Sequence, residues 1–142
     1  MTKAIRGIYA AALTPFTRSG DIDTGMLSAY CTWLLEQGID GVAPLGTTGE
    51  GNSISLAERG RVPAALAAAG IPADRAIIGT GSCAFADAVK ATKSALDAGY
   101  NNVLVLPPFY FKNAADDGVY AYYARLIETI ADDRLRVYLY HF

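Results

Sequence analysis

The chain has 142 residues, 52% of them hydrophobic and 18% charged, and its twelve basic and fourteen acidic side chains leave a net charge of −2. So apolar and nearly neutral a composition excludes intrinsic disorder, and it lacks the basic excess that nucleic-acid binding requires. The length suits one domain against a prior of about 150 residues.

In chain order, short apolar runs alternate with helical patterns. The first run, Gly7–Leu13, ends at Thr14-Pro15. A helix is expected from Thr24 to Gln37, capped by Asp23 and stopped by Gly38. The second run is Gly41–Leu45, and after a Gly/Thr-rich turn Ser55-Leu56-Ala57-Glu58 reads as a capping box opening a helix to Ala69. The third run is Ala76–Gly79, and its helix covers 84–98 with Ala88, Ala91, Ala95 and Leu96 at helical spacing. Asn102–Leu106 is the fourth strand, closed by Pro107-Pro108. A Tyr-rich helix over 117–131 leads to the fifth, Arg136–Tyr140.

Strands alternating with helices imply βαβ units and a parallel sheet, and the continuous apolar runs fit strands covered on both faces. Two architectures meet this pattern: a doubly wound sheet of flavodoxin-like size, or the first four and a half units of a (β/α)₈ TIM barrel. In either, function gathers at the carboxyl ends of the strands.

No apolar stretch approaches the roughly twenty residues of a membrane-spanning helix. Lys3, Arg6 and the run Ile8–Leu13 resemble a secretory signal only in outline, because the apolar part is too short. Cys31 and Cys83 form no CxxC, which argues against a zinc site and for a reducing, cytoplasmic setting.

Gly46-Thr47-Thr48-Gly49-Glu50-Gly51 follows the second strand. Its glycines allow a tight turn, and its hydroxyls and backbone N–H groups are donors for a small carboxylate. The spacing also copies a phosphate-binding P-loop, but Asn52 stands where the lysine must be. An ordinary helix-initiating loop is the plain alternative. Pro107–Lys112 carries three consecutive aromatics, which serve either a site or an interface between subunits. Tyr138 and Tyr140 share one face of strand five, and Tyr140, nearer the functional end, can relay protons if a hydroxyl such as that of Thr47 holds it. His141, the single histidine, alternates to the other face, where packing against core or helix is expected. Lys90 and Lys93 read as a solvated helix face, and Asp116-Asp117 as charge at a helix start.

Leu13-Thr14-Pro15-Phe16, Gly46-Thr47-Thr48-Gly49-Glu50, Gly79-Thr80-Gly81, Leu106-Pro107-Pro108-Phe109-Tyr110 and Tyr138-Leu139-Tyr140 fall in order at successive strand ends. Together, and across the whole chain, they resemble the dihydrodipicolinate synthase / N-acetylneuraminate lyase family of pyruvate-dependent class I aldolases. The resemblance implies a TIM barrel in a homotetramer built from tight dimers, with residues 1–142 as the N-terminal part of that single domain. It implies that a lysine forms a Schiff base with pyruvate, which makes or breaks a carbon–carbon bond to an aldehyde without any cofactor. By the same resemblance Tyr140 is the proton relay, and Thr47 links it to Tyr110, which reaches into a neighbouring subunit. Thr48 holds the pyruvate carboxylate through its hydroxyl and the local backbone N–H groups, with Gly46 and Gly49 also substrate-binding. No metal, nucleic acid or membrane enters this chemistry.

Two departures qualify the match. The family's Schiff-base lysine belongs to strand six, beyond Phe142, and Lys112 is badly placed to replace it. His141 stands where the synthases usually have asparagine, and Phe109 where they often have tyrosine, a pattern closer to divergent members such as sugar-acid aldolases. Besides the lyase, the sequence leaves open a non-catalytic binding domain of flavodoxin-like shape and an inert half-barrel fragment.

Overall fold

A computed structural model describes residues 5–141. Its strands are β1 (Tyr9–Ala11), β2 (Gly41–Ala43), β3 (Ile78–Gly79), β4 (Asn102–Val105) and β5 (Arg136–Leu139). Its α-helices are α1 (Thr24–Glu36), α2 (Leu56–Arg59), α3 (Val62–Ala68), α4 (Phe85–Asp97) and α5 (Asp116–Ile130).

All strand pairs are parallel. Ala10 lies opposite Val42, Ile78 opposite Val103, and Val103 opposite Val137. A bridge between Val42 and Ala76 joins the two halves, with Ile77 N–H donating to the Val42 carbonyl at 3.0 Å and Gly79 N–H to that of Pro44 at 2.9 Å. The spatial order is therefore β1-β2-β3-β4-β5. A flavodoxin-like sheet would set β1 beside β3; here β2 occupies that place, so the doubly wound alternative is excluded.

One face of the sheet carries Val42, Ile78, Val103 and Val105, each at most 1% exposed beneath the helices. The other face carries Tyr9, Leu104 and Tyr138, all half-buried. Leu139 lies level with Val105 in the register, yet it is 66% exposed where Val105 is 0%. Ile8, flanking β1 at the opposite edge, is 73% exposed. These apolar positions mark the two uncovered edges of the sheet.

The helices follow their sequence signals with one exception. Asp23 caps α1 by accepting from Met26 N–H at 2.8 Å, and Gly38 beyond its end takes φ +94°. Lys90 and Lys93 are exposed on α4, and Asp116 opens α5. The expected helix over 55–69 is instead two helices broken at Gly60-Arg61. Pro63 has no N–H to return to the Arg59 carbonyl, and its ring would collide there, so the helix restarts with proline in its first turn. The strands are shorter than their apolar runs because the flanks leave the ladder to build loops; Leu45, for example, turns to φ +62°.

Candidate active site

The five strand exits lie at one end of the sheet. Gly46–Gly51 is a closed turn in which Gly51 N–H donates to the Gly46 carbonyl at 3.1 Å and Glu50 N–H to that of Thr47 at 3.0 Å. Gly46 and Gly49 are buried, whereas Thr47 and Thr48 are exposed. Among the described residues neither threonine hydroxyl forms a hydrogen bond, so both remain available to a ligand.

Neighbouring exits brace this turn. The Thr14 hydroxyl, 7% exposed, donates to the Gly49 carbonyl at 2.6 Å. The Leu45 carbonyl lies between two glycines: a Cβ on Gly51 would come within 2.1 Å of its oxygen, and one on Gly79 within 2.2 Å. Any side chain at either position would push the turn away.

At the β4 exit Phe111 N–H donates to the Pro108 carbonyl at 3.2 Å, closing a turn that sends Tyr110 and Phe111 outward. Tyr110 is 77% exposed, with its ring edge-on to Phe111 at 5.5 Å between centroids. Tyr140, half-buried, follows β5 and donates its N–H to the Val105 carbonyl at 3.0 Å. Tyr123 from α5 donates its hydroxyl to that same carbonyl at 2.9 Å. Tyr122 donates to the Ser82 carbonyl, and burial pushes its phenol up to about 12. Thr47 and Thr48 thus share the β2 exit, while Tyr110 follows β4 and Tyr140 follows β5 at the same end of the sheet. His141 is exposed, contrary to the packing expected for it, because among the described residues no helix covers the outer side of β5.

Sequence reasoning missed Arg59. It is 6% exposed, and its Nη2 donates to the carbonyls of Gly81 at 2.9 Å and Gly79 at 3.3 Å. Burial lowers its pKa, and Asp87 opposes that shift. The signal was present: Leu56, Arg59, Pro63 and Leu66 recur at helical spacing, which places Arg59 among apolar neighbours.

Cavities flank the sheet among the described residues, one of about 490 Å³ lying beside β5 between Ile127, Leu135, Val137 and Tyr138, and two more bearing on its ends. One, about 280 Å³, is lined by Asn52, Arg59, Cys83, Asp87 and Phe109 on the exit side. The other, about 550 Å³, opens at the amino ends among Tyr9, Asp74, Arg75 and Arg136, away from the exits. Among the described residues no three His, Cys, Asp or Glu side chains converge as metal ligands, and no helix is long and apolar enough to cross a membrane.

The sequence profile of the dihydrodipicolinate synthetase family matches residues 4–142. A protein named as an uncharacterized DapA-like lyase of Chloroflexus aurantiacus is 42% identical over 137 residues, covering 96% of this chain and 45% of that protein. The crystal structure of dihydrodipicolinate synthase from Agrobacterium tumefaciens superposes with a TM-score of 0.88 at 36% identity, covering 96% of this chain and 47% of that one. YagE from E. coli, a prophage protein of the dihydrodipicolinic acid synthase family solved with pyruvate, gives 0.84 at 26% identity over 96% of this chain and 44% of its own. The chain spans less than half the length of these relatives.

Proposed function

The chain belongs to the dihydrodipicolinate synthetase family, and from that premise we propose that it is the amino-terminal part of a pyruvate-dependent carbon–carbon lyase. The observation that carries the reading is the Gly46–Gly51 turn, with two exposed, unengaged threonine hydroxyls at a strand exit. A planar carboxylate set there accepts from Thr48 and from the N–H groups of the turn. Strands beyond residue 142 join the open edges of β5 and β1 into an eight-stranded barrel, and a lysine on one of them supplies the nucleophile.

In this reading the lysine amine adds to the ketone carbon of pyruvate and water leaves, giving an iminium. The methyl group then loses a proton, and the resulting enamine carbon bonds to an aldehyde; hydrolysis returns the lysine. Tyr140 moves the protons, and the Thr47 hydroxyl, unengaged among the described residues, is the partner that positions it once the whole site is assembled. Tyr110, projecting into solvent from its own chain, reaches the site of a neighbouring subunit in a homotetramer. No cofactor is needed, and the setting is cytoplasmic.

The test is borohydride reduction of the intact chain in the presence of pyruvate, read by mass spectrometry. One pyruvate-derived increment on a single lysine is expected. An intact chain that acquires none, while a known lyase does under the same conditions, overturns the reading.

A further inference from the structure

We infer that Arg59 is a positioning residue that holds the Gly46–Gly49 turn in the shape that receives a carboxylate; this rests on the reading of that turn given above. Arg59 ends α2, the first helix after the turn, and its guanidinium reaches across to the β3 exit, to the carbonyls of Gly79 and Gly81. Gly79 is where that exit meets the turn. Its N–H is bonded to the Pro44 carbonyl, and its Cβ position lies 2.2 Å from the Leu45 oxygen and 2.9 Å from Gly46 N. With no side chain between them to absorb a displacement, any shift of Gly79 passes to Leu45 and Gly46 at contact distance.

Leu45 makes the turn sensitive to that shift. Its φ of +62° is a conformation that non-glycine residues hold only when their surroundings over-determine it. The turn is braced at one end by the Thr14 hydroxyl on Gly49 and at the other by Arg59 through Gly79. A residue that merely filled this space would not need a charge, since an unbranched apolar chain of similar length occupies the volume without desolvating a guanidinium. What the guanidinium adds is directional donation to two carbonyls of one loop.

The experiment compares wild type, Arg59→Met and Arg59→Lys in the intact chain. Amide hydrogen exchange is mapped along the chain, and borohydride trapping is followed against pyruvate concentration. In Arg59→Met, the bonded amides of the two loops, Glu50, Gly51 and Thr80, are expected to exchange about tenfold faster or more, as loss of a charged hydrogen bond implies. The pyruvate concentration for half-maximal trapping rises by a similar factor, while the trapping rate at saturation is unchanged. Arg59→Lys recovers most of both, because one ammonium still reaches the carbonyls. Unchanged exchange in the two loops overturns the inference, and so does acceleration spread equally over β1 and α4, which marks a general stabiliser. If Arg59→Met does not fold, Arg59→Gln, polar and uncharged, decides by whether its loosening is confined to the two loops. A wild type that traps no pyruvate rejects the lyase reading, and the exchange map still decides the role of Arg59.

Discussion

Replacing Gly79 by alanine places a methyl carbon 2.2 Å from the Leu45 oxygen and 2.4 Å from its carbonyl carbon, where ordinary contact begins near 3.4 Å. Leu45 has nowhere to go. Its side chain is 3% exposed, and the Cβ position of Gly51 already lies 2.1 Å from the same oxygen. The strands must therefore part by about 1 Å, which breaks the 2.9 Å bond from Gly79 N–H to the Pro44 carbonyl. The lost bond costs about 1 kcal/mol and the overpacking about 1–3, so the expected loss is about 2–4 kcal/mol of a total on the order of 5–15. Urea unfolding of the intact chain, followed by circular dichroism, measures it. Gly118→Ala is the control, since a Cβ there meets nothing within 4 Å inside α5, and it should stabilise by about 0.5–1 kcal/mol. A Gly79→Ala protein within about 0.5 kcal/mol of wild type would show that β3 does not press on Leu45, and the clamp argued for Arg59 would fall with it.

Asp23→Ala removes the acceptor for Met26 N–H and should lower stability by about 1 kcal/mol, with Asp23→Ser restoring most of it; equal urea midpoints for all three would refute the cap. Alkaline stability follows from Tyr100, which is 1% exposed, donates to the Ile71 carbonyl and has its pKa pushed up to about 12 by burial. The fold favours the neutral phenol, so its contribution is intact below about pH 10 and disappears as pH climbs through 12. Wild type should unfold in that window as tyrosinate absorbance appears, and Tyr100→Phe should move the transition upward. Full ionisation near pH 10 without unfolding would contradict this.

The alternation of strands and helices was legible because each segment states its own period and its own stop signals. The cap at Asp23 and the glycine at 38 are local chemistry, readable in isolation. The break at Gly60 was equally local, since Pro63 four residues after Arg59 forbids a continuous helix, but the capping box drew the reading past it. Sheet order was not legible: five βα repeats serve two topologies, and the bonds from Ile77 to Val42 in β2 and from Gly79 to Pro44 just past it distinguish them. Of the site, the residues that present donors were visible as a motif. The contacts that brace them come from segments 35 or 20 residues away, as with Thr14 on Gly49 and Arg59 on Gly79, and no local pattern encodes such pairs. His141 misled because its burial depends on cover that these residues do not supply.

The neighbour-to-neighbour order of the strands also bears on synthesis. Every strand pairs with the one made just before it, so β2 finds its partner as it emerges, and each later strand does the same. Among these four pairings none waits for a distant segment, and the entropy of closing each connection is that of a single βα unit. These five strands can assemble in the order of translation, with the β1 edge beside Ile8 left open and a second edge advancing, where Leu139 marks the growing front.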